Sequence, residues 1–257
     1  MNSRDYLDKK TLILGDVNSG KTTLCREILD DFCRKGLGER IAVIDLAPEI
    51  PDESLRSRGL KGVGGRLRPP DGSGVVTLRV PVLAPRLTSA TEGEALEKAR
   101  RNREAIEGIF RQVETLGRDM LFINDVSLYL QAGDPAYLAG VLEKAGTAVV
   151  NGYFGETLGP GELSRREREA MERIAAWFRT RGSVITMPHE GPASGKILVA
   201  MSGGVDSSVA ALLLVERGLD IAGLTLFRQG DGAVGYGSRD VEDAAKVCRM
   251  LGIPHHA

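Results

Sequence analysis

Long apolar runs, cysteines and aromatic residues are all scarce in this chain of 257 residues, and neither sign of charge predominates. No stretch approaches the roughly 20 apolar residues that span a bilayer, and the polar start MNSRDYLDKK lacks the apolar core of a signal peptide. The 34 basic and 35 acidic residues nearly cancel, which excludes the overall positive field typical of nucleic-acid-binding proteins. These absences predict a globular cytoplasmic protein without a membrane partner, and they leave open a local contact with nucleic acid.

The cysteines number only three, Cys25, Cys33 and Cys248, and show no metal-ligand spacing. An odd number of cysteines, two of them on predicted helices, does not suit a disulfide framework. We therefore expect reduced thiols with a structural role.

Apolar strand-like runs alternate with helical patterns along most of the chain. The strand-like runs are TLILGD, RIAVIDL, DMLFINDVSLYL, TAVVNGYF and GSVITMP, and GVVTLRVPVL predicts a further strand or hairpin arm. Such alternation is typical of an α/β fold with a mainly parallel sheet. It predicts a three-layer α/β domain over residues 1–187, a linker rich in Pro, Gly and Ser over 188–195, and a second α/β segment over 196–257.

One helix start in the first domain carries a capping pattern. Ser164 and Glu167, in the segment SRRE, have the spacing of a capping box, in which each side chain accepts from the other's backbone N–H. The pattern predicts a helix that begins beside Ser164.

The segment GDVNSGKT, residues 15–22, follows a predicted strand and opens a predicted helix, and it fits the phosphate-binding P-loop pattern G-x-x-x-x-G-K-[ST]. Its glycines let successive N–H groups point at phosphate oxygens, Lys21 reaches the β and γ phosphates, and the hydroxyl of Thr22 binds Mg²⁺. The predicted ATP-binding residues are Gly15, Asn18, Ser19, Gly20, Lys21, Thr22 and Thr23.

An acidic residue is expected to complete the magnesium site. Asp125 ends the apolar strand MLFIND, at the Walker B position of such proteins, although an aspartate there can also serve only to form a turn. We predict Lys21 and Asp125 as catalytic residues, and Asp45 as a weaker candidate for a substrate or water contact. Over residues 11–187 the chain resembles P-loop nucleotide kinases and NTPases in general, and its substrate is not readable.

A second phosphate-loop pattern begins at Ala200, in the segment AMSGGVDSSVAALLL. It matches the S-G-G-x-D-S signature of the PP-loop ATP pyrophosphatases. Gly203 and Gly204 permit a close backbone approach to pyrophosphate, the hydroxyls of Ser202 and Ser207 add donors at a helix N-terminus, and Asp206 caps that helix or orients magnesium.

The residues after this loop distinguish among the families that share it. The segments VAALLLVERGLDIAGLTLFRQGDG and SRDVEDAAKVCRMLGIPHHA resemble the beginning of the tRNA-specific 2-thiouridylases, the MnmA family, over residues 196–257. A GMP synthetase would carry a VDNG-like strand end, which is absent here. The resemblance implies that Leu226 contacts adenosine through its backbone, and that ATP is bound by Ala200, Met201, Ser202, Gly203, Gly204, Val205, Asp206 and Ser207.

The resemblance also implies a chemistry. The family activates the C2 oxygen of a tRNA wobble uridine by adenylation, and a cysteine persulfide then supplies sulfur. That second half needs two cysteines, in a PNPC..CN segment and in a later one, and Cys248 matches neither. ATP and Mg²⁺ are thus the expected cofactors, and tRNA and a persulfide sulfur donor the expected partners.

Residues 196–257 supply only two strands, two helices and the start of a third strand, which cannot cover both faces of a sheet. We expect this segment to be the front of a PP-loop domain cut short. The alternatives are a P-loop NTPase or small-molecule kinase that carries a non-functional PP-loop remnant, and a module that senses nucleotide without turnover.

Overall fold

The computed structural model describes residues 3–48, 50, 65–188, 197–226 and 238–257. The chain divides into two compact units, Met1–His189 and Glu190–Ala257. Nine strands and eight helices lie in the described residues, besides two short 3₁₀ turns at Ser3–Asp5 and Gly38–Arg40. None of the helices described is long and apolar enough to cross a membrane.

The elements are numbered here in chain order. The strands are β1 (Lys10–Gly15), β2 (Ile41–Asp45), β3 (Val76–Leu78), β4 (Met120–Asn124), β5 (Thr147–Tyr153), β6 (Gly182–Thr186), β7 (Ile197–Ala200), β8 (Ile221–Leu224) and β9 (His255–His256). The helices are α1 (Lys21–Arg34), α2 (Pro85–Thr88), α3 (Glu92–Glu114), α4 (Ser127–Leu130), α5 (Pro135–Glu143), α6 (Glu162–Arg179), α7 (Val205–Glu216) and α8 (Ser238–Met250).

The first unit contains a six-stranded sheet in the order β3-β2-β4-β5-β1-β6, and every pair in it is parallel. Strands β1, β2, β4 and β5 are buried along their whole length, as expected for strands covered on both faces. Helix α1 packs on one face, and α3, α5 and α6 pack on the other. The predicted α/β fold with a parallel sheet is therefore confirmed.

The segment predicted as a strand or hairpin arm forms β3, which pairs parallel with β2. A hairpin arm would pair antiparallel, so the hairpin alternative is wrong. The strand order also places β5 between β1 and β4. Because all these strands run the same way, the ends of β1, β4 and β5 meet at one edge of the sheet, where ligands bind in open α/β sheets.

The predicted capping box of Ser164 and Glu167 is wrong. Helix α6 begins at Glu162 after Gly161, and no side chain caps it. Ser164 lies inside the first turn, where its hydroxyl donates to the carbonyl of Gly159 (2.8 Å). Glu167 is 3% exposed and accepts from Arg86 and Gln131. Local spacing identified the two residues but not the buried partner that draws Glu167 inward.

The second unit is a three-stranded parallel sheet in the order β7-β8-β9. Helices α7 and α8 share one apolar cluster with Ile197 and Val199, which places both helices on one face of the sheet. Leu198, which alternates with them along β7, is 57% exposed on the other face. The described part of this sheet is thus covered on one face, in agreement with the expectation from its strand count.

Candidate functional site

The first phosphate loop joins β1 to α1 at the meeting edge of the strands. Asn18 and Gly20 have left-handed backbone angles, φ 58° and 84°, and Gly20 immediately precedes the helix. A left-handed residue at this point turns the chain sharply into the helix and directs backbone N–H groups inward. The loop lines a cavity of about 300 Å³, together with residues from the ends of β4 and β5.

Lys21 lies over the loop rather than in solvent. Its Nζ donates to the carbonyl of Asp16 (2.5 Å) and to the hydroxyl of Ser19 (3.4 Å). Burial lowers the pKa of Lys21, and the negative charges of Asp125 and Asp16 partly oppose that shift. A cation held in this cavity is suited to bind an anion.

Asp16 fixes the loop to the segment that follows β5, and no pattern in the sequence predicts this role. Its carboxylate accepts from the backbone N–H groups of Val17 (2.6 Å), Glu156 (3.0 Å) and Thr157 (3.3 Å). Burial acts to raise the pKa of Asp16, but these donors stabilise the charged form and the net shift is downward. Asp16 is therefore a buried carboxylate that joins the start of the loop to the segment after β5.

The side chain that faces Thr22 is Asn124, the last residue of β4. The hydroxyl of Thr22 lies 3.4 Å from Oδ1 of Asn124, which also accepts from Nδ2 of Asn151 (2.9 Å). Nδ2 of Asn124 in turn donates to Asp45 (2.7 Å). Sequence reasoning missed Asn124 and Asn151, because an amide at a strand end is an ordinary residue until the neighbouring strand is known.

Asp45, the weaker candidate, is held by structural contacts. Its side chain is 1% exposed and pairs with Nε of Arg79 (3.1 Å). The same carboxylate accepts from Asn124, so it orders the network behind Thr22 and does not line the cavity.

Asp125 is partly buried and lines the cavity opposite the loop. Its backbone is left-handed (φ 62°), and its N–H donates to Oδ1 of Asn151 (2.9 Å). Ser127 donates to its carboxylate. Burial raises the pKa of Asp125, opposed by Ser127, Lys21 and Arg86. A left-handed aspartate with a perturbed pKa beside a cavity is a feature that clusters at functional sites.

The structure therefore brings Asp125 and the predicted residues of the first loop to one cavity, except Gly15, which packs against Ser19 and does not line it. No cluster of three His, Cys, Asp or Glu that could hold a metal ion lies within the described ranges. The predicted magnesium role of Thr22 and Asp125 stays a prediction.

The second loop, in the other unit, joins β7 to α7. Gly203 is left-handed (φ 75°) and approaches α8 closely, since an added Cβ would lie 3.0 Å from Cβ of Asp243. The hydroxyls of Ser202 and Ser207 lie 3.2 Å apart, and Ser207 also donates to the carbonyl of Gly204 (3.2 Å). The loop is thus ordered by its own hydroxyls.

The remaining predicted residues of this loop differ in exposure. Met201 is 2% exposed and belongs to the core, where its N–H donates to the carbonyl of Leu224 (2.8 Å) and its carbonyl accepts from the hydroxyl of Thr225 (2.9 Å), so its predicted ATP contact stays a prediction. Val205 and Asp206 are exposed in the first turn of α7, and Leu226 is 76% exposed beyond β8. Asp206 does not cap the helix, which begins after Gly204 without a side-chain cap.

Sequence comparison points to a family for this second loop. The sequence model of a family described as "tRNA methyl transferase HUP domain" matches residues 195–257. The C-terminal segment is MnmA-like. HUP domains have a Rossmann-like α/β fold, which agrees with the parallel sheet of the second unit.

Relatives of known name are similar to part of the chain. The tRNA-specific 2-thiouridylase MnmA of Rhizobium leguminosarum bv. trifolii is 45% identical over 71 residues, 25% of this chain and 18% of that protein. MnmA 1 of Syntrophus aciditrophicus is 51% identical over 65 residues, 24% of this chain and 18% of that protein. MnmA of Synechococcus sp. is 39% identical over 89 residues, 34% of this chain and 19% of that protein. The matched part thus spans less than a fifth of these relatives.

Among solved structures, flagellar accessory protein FlaH from Methanocaldococcus jannaschii aligns with 64% of this chain and 68% of its own, with 9% sequence identity and a TM-score of 0.37. A likeness of this size supports no argument about function, and the assignment of the first unit as a P-loop NTPase stays a prediction.

Proposed function

We propose that the C-terminal unit binds ATP at the loop from Ala200 to Ser207 and takes part in tRNA 2-thiouridylation. The family match over residues 195–257 carries this proposal. In the chemistry that the resemblance implies, ATP adenylates the C2 oxygen of the wobble uridine and pyrophosphate is released. This makes tRNA the proposed macromolecular partner.

The geometry of the loop suits a pyrophosphate group. Gly204 is exposed immediately before α7, and the hydroxyls of Ser202 and Ser207 stand at the positive end of that helix. Asp206 is exposed in the same first turn, where it would orient magnesium, and the exposed Leu226 would contact adenosine through its backbone.

Cys248 is not proposed as a sulfur-transferring residue. It is 0% exposed in the core of the second unit, and burial raises the pKa of its thiol. A reactive cysteine needs an accessible thiolate. Sulfur would come from a persulfide donor, the partner that the family implies.

Pyrophosphate release tests the proposal. We expect the full chain with Lys21→Ala, which disables the first loop, to release pyrophosphate from ATP when tRNA is added. Asp206→Ala should lower this release by about tenfold or more, because a charged contact contributes about 1.5–3 kcal/mol. The matched control Asp220→Ala changes another exposed aspartate of the same unit and should have no effect. Release that persists without tRNA, or that Asp206→Ala leaves unchanged, contradicts the proposal.

A second function is supported by the first loop. We infer that the N-terminal unit binds MgATP as a P-loop NTPase or small-molecule kinase, because Lys21, Thr22 and Asp125 line one cavity. Magnesium would be held by Thr22, by phosphate oxygens and by one carboxylate, the ligand set that Mg²⁺ prefers.

Titration calorimetry tests this second function. On an Asp206→Ala background, Lys21→Ala should weaken MgATP binding on the order of tenfold to a hundredfold, since it removes a charge-assisted phosphate contact. Lys144→Ala is the matched control, because that side chain is 62% exposed and pairs with Glu114 at the surface. Equal affinity of the Lys21→Ala and control proteins would remove the P-loop assignment.

A further inference from the structure

A second, smaller cavity adjoins the phosphate-loop cavity. It measures about 50 Å³, and it shares Asp125, Tyr153 and Leu158 with the larger space. The walls are otherwise mainly apolar, and Ala84, Leu87 and Leu128 line the smaller cavity but not the phosphate-loop cavity. A group seated here would lie beside Asp125 and next to whatever the phosphate loop binds.

An unpaired acceptor lines this cavity. Gln131 is 1% exposed, and its Nε2 donates to Oε2 of Glu167 (2.8 Å). Its Oε1 is buried and has no hydrogen-bond partner among the described residues. A buried acceptor without a partner costs about 1–3 kcal/mol, so a ligand that donates to it would recover that free energy.

The charges around the cavity select the kind of ligand. Asp125 and the Oε1 atom of Gln131 are both acceptors, and they favour a donor over an anion. Arg86 also lines the cavity, but its Nη2 already donates to both oxygens of Glu167 (2.9 and 2.7 Å). Apolar walls with two acceptors fit the hydroxyl end of an alcohol and disfavour a carboxylate or phosphate.

The smaller cavity shares lining residues with a third, wider cavity. Arg86 and Tyr153 also line a wider cavity of about 510 Å³, which continues toward Phe154 and Arg168. An acceptor larger than three carbon atoms would extend into that space while its hydroxyl end remains beside Asp125.

We propose that the smaller cavity is the acceptor site of a phosphotransferase, which binds the hydroxyl end of a small alcohol or polyol. The proposal rests on MgATP binding at the first loop. The hydroxyl oxygen bonds to the γ-phosphorus of ATP, and its proton passes to an oxygen of the transferred phosphoryl group. The bond between that phosphorus and the β–γ bridging oxygen breaks, and ADP leaves with the electron pair. Gln131 is a positioning residue that orients the acceptor, and Asp125 stays the proposed magnesium ligand.

Glycerol and glycerate are the matched probes, because they differ in the carboxylate that the cavity should reject. With the full chain and MgATP, phosphorus NMR should show a phosphate monoester forming with glycerol and none with glycerate. Gln131→Met should raise the KM for glycerol about tenfold, the loss of about one hydrogen bond, and leave MgATP affinity unchanged. Gln112→Met, an exposed glutamine on α3, is the control and should change neither value.

A second variant guards against loss of folding in Gln131→Met. Ala84→Val narrows the same cavity without touching a polar group, and it should also raise the KM for glycerol while MgATP affinity is kept. Fluorescence of Trp177, the one tryptophan of the chain, reports whether the first unit is folded in each variant.

The outcomes separate the two proposals. Loss of MgATP binding by the unaltered chain would overturn the nucleotide assignment. Normal MgATP binding, with hydrolysis to phosphate that glycerol does not alter, would overturn the acceptor site and leave an NTPase. Transfer to glycerol with a KM that neither Gln131→Met nor Ala84→Val changes would place the acceptor elsewhere and overturn the proposal equally.

Discussion

Individual residues in the first unit are fixed by close contacts around the phosphate loop. Gly155 is the clearest case, since an added Cβ would lie 2.2 Å from Cγ of Asp16 and 2.4 Å from Oδ2. Only glycine lets the segment after β5 donate its N–H groups to that carboxylate. The shape of the loop therefore depends on the segment that contains Glu156, which is 140 positions from Asp16 in the chain.

We expect Gly155→Ala to weaken MgATP binding about tenfold, because Asp16 must move and its hydrogen bonds to the loop are strained. Titration calorimetry on the Asp206→Ala background measures the change at the first loop. Gly140→Ala is the control, since a Cβ there meets no atom within 4 Å. An unchanged affinity in Gly155→Ala would show that Asp16 does not hold the loop.

Gly108 allows a prediction of the opposite sign. It lies inside α3, and a Cβ there would meet nothing within 4 Å. Alanine lowers the backbone entropy of the unfolded chain, so Gly108→Ala should stabilise the first unit by about 0.5–1 kcal/mol. Urea unfolding followed by Trp177 fluorescence measures this, and a loss of stability would contradict the open space described at Gly108.

Among the secondary-structure elements, α2 and α6 are joined by the pair of Arg86 and Glu167. The two side chains are 11% and 3% exposed, and Arg86 also stacks on the ring of Tyr153 at 4.9 Å. Breaking a buried pair costs more than breaking a surface pair, because one charge is left without a partner. Side-chain contacts thus link these two helices to the end of β5, next to the two cavities that Arg86 lines.

The titration of Glu167 predicts a pH dependence. Burial raises its pKa to about 7, although Arg86 and Gln131 act to lower it. Between the pKa of the unfolded chain, near 4.5, and about 7, the folded state keeps a proton that the unfolded state has lost. The stabilisation contributed by Glu167 should therefore be present below about pH 4.5 and be lost as the pH rises toward 7.

Glu167→Gln provides the comparison, because glutamine does not titrate. The free energy of unfolding of the unaltered protein minus that of the variant should fall by roughly 2–3 kcal/mol across this window. Trp177 lies on α6 and reports the unfolding. A difference that is constant with pH, or that grows, would show that Glu167 is already ionised at low pH in the folded state.

The whole molecule contains two units, each with its own apolar core and its own phosphate-type loop. Since each loop is built within one unit, we expect two ATP molecules per chain. Lys21→Ala should leave only the ATP site of the second unit, and Asp206→Ala only the ATP site of the first. The stoichiometry of ATP binding, measured by titration calorimetry, checks both expectations. A single site in the unaltered chain, lost in only one of these variants, would assign nucleotide binding to one unit.

The α/β class, the two glycine-containing turns from strand to helix and the strand that precedes Asp125 were predictable, because each depends on neighbours within about 20 residues: alternating apolar runs, glycine spacing and one charged residue after a strand. The start of α6 was predicted wrongly for the same reason, since Ser164 and Glu167 have the local spacing of a cap. The buried Arg86 that holds Glu167 lies 81 positions away.

The tertiary fold decided the rest. Insertion of β5 between β1 and β4 brings Asn151 against Asn124 and places Asn124, rather than Asp125, opposite Thr22. Packing of α2 and α4 beside Asp125 creates the second cavity and leaves the Oε1 atom of Gln131 without a partner in the described chain. These contacts join residues from separate elements, and their geometry depends on strand order and helix packing, which no local pattern in the sequence specifies.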